Sequence, residues 1–229
     1  NTAAIAQADM AALITGAGGE IRIGVAQPVA SRELMRLLLS LPRSMPMLTI
    51  SITEVFYDSL VQLLRLGELD LAITSLPESS DRSDLNVQPL AEASARMVIV
   101  MRKAHPLCSL TTITPQDLQQ ANWVAASQEN YIAFLAQYFA ERQMQAPTYR
   151  LYANTMSVML RAVLHEDYVA LLSEDAIARD FPPESVFVVP NSAQTMTRRI
   201  GLIYTPNVIR STAFLRLSQC LVEHYGTAT

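Results

Sequence analysis

Nine residues stand where this chain could hold a small molecule: Gln27, Ser31, Phe56, Tyr57, Thr74, Ser75, Ser127, Asn154 and Thr155. Each lies where an apolar run ends, and most open a helical pattern. Helix N-termini present unpaired N–H donors and a partial positive charge. Hydroxyl and amide side chains gathered at such ends suit an anionic or hydroxylated ligand. Phe56 and Tyr57 shift the emphasis, because two aromatic rings at the mouth of a cleft favour a ring-bearing ligand or a sugar face. Asp58 follows at once, and a carboxylate there already answers part of the local positive field. Arg32, Arg150 and Arg161 are candidate counter-charges. Ser31, Ser59, Ser127 and Thr155 equally suit plain N-caps, each stabilising its own helix by ~1 kcal/mol.

Bond-making chemistry is poorly served. G-x-S-x-G, H-E-x-x-H, P-loop and G-x-G-x-x-G patterns are all absent from the sequence. His165 sits beside Glu166 and Asp167, but residues two apart on a helix end do not face each other, so Asp167 is badly placed to orient an imidazole base. Cys108 and Cys220 lack metal-ligand spacing and are too few for a disulfide framework, so they read as reduced thiols. No enzyme is expected here, and no metal or other cofactor.

Composition narrows the partners. The chain has 229 residues, half of them hydrophobic, enough to bury a sizeable core. Seventeen basic and 21 acidic residues give a net charge of -4, whereas a nucleic-acid footprint is normally basic. The isolated chain is therefore expected to bind DNA poorly. No apolar run approaches the ~20 residues that cross a bilayer, and no membrane partner is expected. Beginning Asn1-Thr2 without Met or a signal-peptide pattern, it reads as a cytoplasmic fragment whose missing part precedes Asn1.

The elements that must position those residues follow from periodicity. Ile21, Ile23 and Val25 predict a strand, and Leu34, Leu37, Leu38 and Leu41 a helix from near Ser31 that Pro42 and Pro46 end. Leu48, Ile50 and Ile52 alternate with polar residues as a strand. Leu60, Leu63 and Leu64 then fall at helical spacing, and Gly67 suits a left-handed stop. Leu69 to Ile73 is a nearly continuous apolar run, interrupted only by Asp70, as in a covered parallel strand. Val87–Leu90 and Met97–Met101 predict two further strands, with AEASA between them as the place where the chain enters a second domain.

The alternation resumes in the second half. Thr114-Pro115 opens a short helix, Asn122–Ala126 is a strand, Tyr131–Glu141 a helix, Tyr149–Ala153 a strand, Thr155–Leu164 a helix and Tyr168–Leu172 a strand. Val186–Val189 and Ile200–Tyr204 are strands, and Ser211–His224 a closing helix. Residues 1–19 read either as an Ala-rich helix ending in GAGG or as a disordered tail, and Pro77 to Asn86 as a polar surface loop. Together these predict an α/β fold of two Rossmann-like subdomains with mostly parallel sheets. Ligands of open α/β sheets bind beyond the carboxyl ends of the strands, which selects the loops holding the nine residues above.

The spacing of Glu54, Leu60, Leu64, Gly67, Leu69, Asp70, Leu71, Ala72 and Ile73 resembles the effector-binding domain of LysR-type transcriptional regulators. IRIGV at Ile21–Val25, His105-Pro106-Leu107, the Asp117-Leu118 pair before Trp123, and Val169–Leu172 follow in that family's order, so the likeness runs from about residue 20 to residue 225. The resemblance implies a type 2 periplasmic-binding-protein-like fold, with two subdomains joined by two crossover strands around a cleft. It implies 20–94 with 203–229 as regulatory subdomain I, 95–202 as subdomain II, and 1–19 as the remnant of a linker helix. It further implies an inducer sensor. A small-molecule effector, such as an aromatic acid, a sugar or a sugar acid, would bias closure of the cleft. The subunits would form an antiparallel homodimer, or a tetramer when full-length, and touch DNA only through an N-terminal domain absent from this chain.

Two departures from the family pattern lessen the expectation of a strongly anionic effector. Val55, Phe56 and Tyr57 stand where the family often has Gly and a Ser or Thr pair. Glu166, Asp167 and Tyr168 replace its G-x-G motif, with Ser173 in place of a strand-ending proline. The alternatives are a transport-type solute-binding protein of the same two-lobed fold, or a small α/β enzyme using His165 or Ser127.

Overall fold

The computed structural model describes residues 20–44, 46, 48–76, 84–182, 184–190, 197–206, 208 and 212–226. The predicted linker helix, and residues 77–83 of the polar loop predicted over 77–86, lie outside the described residues.

In the first lobe, β1 (Glu20–Ala26) pairs in parallel with β2 (Thr49–Val55) on one side and β3 (Leu71–Ser75) on the other. β2 is an edge strand and keeps a half-exposed pattern, whereas every residue of β3 is buried. Helix α1 (Arg32–Ser44) buries Leu34, Leu38 and Leu41, and α2 (Tyr57–Arg65) buries Leu60 and Leu64. Pro42 lies inside α1 rather than ending it. In a last turn, a proline removes a single i→i−4 bond, a loss the helix survives. Gly67 takes φ 71° just past α2, as its position in the sequence requires.

Asp70, the aspartate of the recognised motif, has a structural task. It accepts the Arg22 backbone N–H at 2.7 Å and the guanidinium at 2.8 and 3.2 Å, while Arg22 Nη1 donates to the Gly67 carbonyl at 2.6 Å. It staples β1 to the turn that feeds β3.

The second lobe repeats the plan. β5 (Asn122–Ala125) runs parallel to β6 (Tyr149–Tyr152) and β7 (Tyr168–Ser173). Its helices are α3 (Pro115–Gln120), α4 (Glu129–Ala140), α5 (Met156–His165) and α6 (Glu174–Asp180). Thr114 and Asp117 cap α3 reciprocally at the surface, and Trp123 Nε1 donates to the Leu118 carbonyl at 2.7 Å, so of these motif residues Asp117 caps a helix while Leu118 and Trp123 build the core. α6 has no counterpart among the predicted elements. Seven residues offer little periodicity, but Ser173 caps it through Ala176 N–H and Glu174 and Asp175 occupy its first turn.

Two strands join the lobes. β4 (Asn86–Arg102) is one strand of 17 residues, not the predicted pair separated by AEASA. That segment has no Gly or Pro to break it, and Ala93, Ala95 and Met97 are buried at period two. β9 (Thr197–Tyr204) returns antiparallel to both β3 and β4, β8 (Val186–Val188) adds to β4, and α7 (Thr212–Tyr225) closes the first lobe. Hydrogen bonding among the described residues runs through the order β2-β1-β3-β9-β4-β7-β5-β6 because β4 serves both lobes. The apolar cores are nonetheless separate. Ala95 and Ile200 belong to the first, and Met97 to the second. The β4–β9 ladder also breaks register between Pro89 and Ser94.

Candidate functional site

The carboxyl ends of β1, β2 and β3 face the amino end of α4 across the gap between the lobes. Pro28 follows β1, Phe56 and Tyr57 follow β2, and Ser75 ends β3; these line one side of a cavity. Gln128, Asn130, Tyr131 and Phe134 of the α4 region line another, and Ala95, Met97 and Arg198 of the joining strands form its floor. The cavity measures about 30 Å³, room for about two water molecules.

Arg198 is the charge in this cavity. Its Nη2 donates to the Asn130 carbonyl at 2.7 Å, and its guanidinium lies 4.0 Å from the centre of the Phe134 ring. Desolvation pulls its pKa down to about 10, against a small opposing pull from Tyr131. Among the described residues no carboxylate pairs with it. Arg32, Arg150 and Arg161, the counter-charges expected from the sequence, are all exposed. Arg198 could have been found, because it falls in period-two step with buried Ile200 and Leu202, and a cation on a strand's apolar face is unusual.

The nine predicted residues divide. Phe56, Tyr57 and Ser75 meet at the cavity. Phe56 is 5% exposed and packs with the second lobe's core although its chain neighbours belong to the first. Gln27 lies beside Pro28 in a single 3-10 turn, its Oε1 buried without a partner among the described residues. Thr74 is buried and its hydroxyl donates to the Ser75 carbonyl at 3.3 Å. Ser31 caps α1 through Leu34 N–H at 3.1 Å, and Thr155 caps α5 through Val158 N–H at 3.4 Å. Ser127 donates to Asn154 Oδ1, an exposed pair on the second lobe that does not line the cavity. Ser59 is no cap: it lies within α2, whose N-cap is Phe56.

Further groups tie the lobes together. Asp58 N–H donates to Gln128 Oε1 at 3.1 Å, and Asn130 Nδ2 donates to Asp58 Oδ1 at 3.4 Å. Burial raises the Asp58 carboxyl above its ordinary value, opposed by the hydrogen bonds from Asn130 and from Glu129 N–H. Arg179 of α6 donates to the Ala30 carbonyl and lies 3.5 Å from Glu54 Oε1. The acidity expected at Asp167 is answered by Arg102 at 2.7 Å. Among the described residues, no three His, Cys, Asp or Glu side chains are placed to hold a metal ion, and no helix is long and apolar enough to cross a membrane.

Two α/β lobes, joined by a pair of antiparallel strands and meeting around a lined gap, define a two-lobed ligand-binding domain. The sequence matches the LysR substrate binding domain family over residues 15–226, and the chain belongs to that family. The HTH-type transcriptional regulator GalR of Pseudomonas putida is 25% identical over 224 residues, 96% of this chain and 55% of that protein. GbpR of Azospirillum brasilense is 25% identical over 194 residues, 84% of this chain and 56% of that protein. The chain thus spans about half the length of these curated relatives. Among solved structures, the effector binding domain of QuiR in complex with shikimate matches with a TM-score of 0.74 at 20% identity, covering 91% of this chain and 98% of that one. The Synechocystis CcmR regulatory domain in complex with 2-PG matches at 0.72 and 17%, covering 91% and 97%. Such identities show a shared fold.

Proposed function

We propose that this chain is the effector-sensing part of a LysR-type transcriptional regulator and that its effector is a small ring-bearing monocarboxylate. The observation that carries the ligand class is Arg198, a half-buried cation without a carboxylate partner among the described residues, set in a cavity walled by Phe56, Tyr57 and Phe134. A carboxylate would restore the interactions that desolvation takes from the guanidinium, and the rings would cover an apolar or sugar-like body. Asp58 nearby disfavours a second negative charge. Shikimate, the ligand of the QuiR domain, has this chemistry.

In this reading Gln27, Ser75, Gln128 and Asn130 supply hydrogen bonds around the ring, and Ser127, Asn154 and Thr155 form an outer polar rim reached when the lobes part. Effector binding shifts the population of closed lobes. The whole regulator works in the cytoplasm as a homodimer or tetramer and meets DNA through a separate N-terminal domain.

A thermal-shift screen with benzoate, shikimate, gluconate and the neutral analogue benzamide tests this. Benzoate and shikimate should stabilise the chain, by ~2.7 kcal/mol at a hundredfold excess over the dissociation constant, and ring-free gluconate should do so less. The Arg198→Met variant should lose the effect. Equal stabilisation by benzamide, or an unchanged response in the variant, would overturn the ligand class.

A further inference from the structure

The two helices that open onto the cleft lack caps of their own, and each finds one on the opposite lobe. Phe56, at the N-cap of α2, and Gln128, at the N-cap of α4, make no side-chain bond to their own helices. Instead Gln128 Oε1 accepts the Asp58 N–H in the first turn of α2 at 3.1 Å. The Asp58 carboxylate lies beside the Glu129 N–H and accepts from Asn130 Nδ2 at 3.4 Å, both in the first turn of α4. First-turn N–H groups have no partner within a helix, and the helix dipole favours an anion beside them. A cap ordinarily comes from the residue just before the helix. Here the paired residues are 70 and 72 positions apart and belong to different lobes.

We propose that Asp58 and Gln128 form a cross-lobe latch, a reciprocal pair of caps divided between the subdomains, so that parting the lobes uncaps both helices at once. The proposal rests on the cleft being the effector site, because what the latch controls is access to that cavity. Gln128 and Asn130 line the cavity as well as touching Asp58, so a ligand that engages their amides draws them away from the latch. Asp58 and Gln128 are thus positioning residues that link occupancy to closure. Phe56 acts in the same direction, because it leaves the second lobe's core when the latch opens.

Hydrogen exchange tests the coupling with no ligand added, read at the amides of residues 58 and 129 in the unsubstituted chain, Asp58→Ala and Gln128→Ala, each corrected for intrinsic rates. Asp58→Ala removes the carboxylate beside amide 129, and Gln128→Ala removes the acceptor of amide 58. A latch demands the crossed effect: amide 58 exchanging faster in Asp58→Ala and amide 129 faster in Gln128→Ala. Losing one cap should give about a fivefold increase. Acceleration confined to each variant's own amide means two independent caps and overturns the proposal, as does no change at either. If an alanine variant fails to fold, Asp58→Asn, which keeps an acceptor of the same shape, should show the crossed effect at amide 58 by a smaller factor, and its absence there also overturns the latch. Failure here leaves the carboxylate reading standing, and an Arg198→Met variant that still binds benzoate leaves the latch standing.

Discussion

Replacing Arg198 by methionine should separate binding from stability. Lowering the guanidinium pKa from 12.5 to about 10 amounts to about 3 kcal/mol against the charged form, at ~1.4 kcal/mol per tenfold. The side chain keeps some access to solvent, and screening leaves about 2 kcal/mol. Methionine of similar reach removes that cost. It forfeits the charged hydrogen bond to the Asn130 carbonyl, ~1.5 kcal/mol, and the contact with the Phe134 ring, ~1 kcal/mol. These nearly offset, so without ligand the variant should lie within about 1 kcal/mol of the parent, a melting shift of roughly 2–4 °C at most. Affinity for a carboxylate such as benzoate should fall by ~2–4 kcal/mol, about 30-fold to 1,000-fold. Urea denaturation and titration calorimetry read the two quantities. A loss of stability beyond ~3 kcal/mol with affinity unchanged would assign Arg198 to the architecture and refute the reasoning.

Phe56→Ala should cost ~3 kcal/mol of a buried phenylalanine's packing and increase the radius of gyration in small-angle scattering, because the lost contacts lie between lobes; an unchanged radius would count against that placement. Asp70→Asn weakens a staple whose side chains are 36% and 23% exposed, so urea titration should show a loss of only ~1–2 kcal/mol. Gly201→Ala should destabilise by ~1–3 kcal/mol, since its Cβ would lie 2.7 Å from the Gln88 carbonyl oxygen; a neutral result would show that β4 can yield there. The Asp58 carboxyl is raised by desolvation, so the folded chain holds this proton more readily than the unfolded one. Its contribution is greatest below the ordinary carboxylate value and declines as pH rises through the raised one. Urea midpoints should therefore show Asp58→Asn gaining on the parent as pH rises from about 4 to about 6; a constant difference would contradict the shift.

Much of the architecture could be read from periodicity because the relevant forces are local. Leu34, Leu38 and Leu41 announce the buried stripe of α1, Gly67 its φ requirement, and Thr114-Pro115 a helix start. What escaped was set by distant partners. Pro42 looked like a stop because its position within the final turn was unknown. β4 looked like two strands because small residues carry weak patterning, and α6 was too short to show a period. The same limit governed the site. Phe56, Tyr57 and Ser75 were reachable from strand ends, but Arg198 lies on a joining strand, and Asp58's partners lie across a gap that no local pattern records. The motif residues Asp70, Asp117 and His105 proved structural; His105 is buried and its Nδ1 accepts Leu107 N–H at 3.1 Å.

The broken register between the joining strands has a mechanical meaning. Pro89 pairs with Gly201 and Ser94 with Arg199, so four residues of β4, from Leu90 to Ala93, stand opposite the single residue Ile200. β4 thus carries surplus length where β9 carries none. Motion of the lobes would then pivot on β9, while the extra residues of β4 take up the change in span.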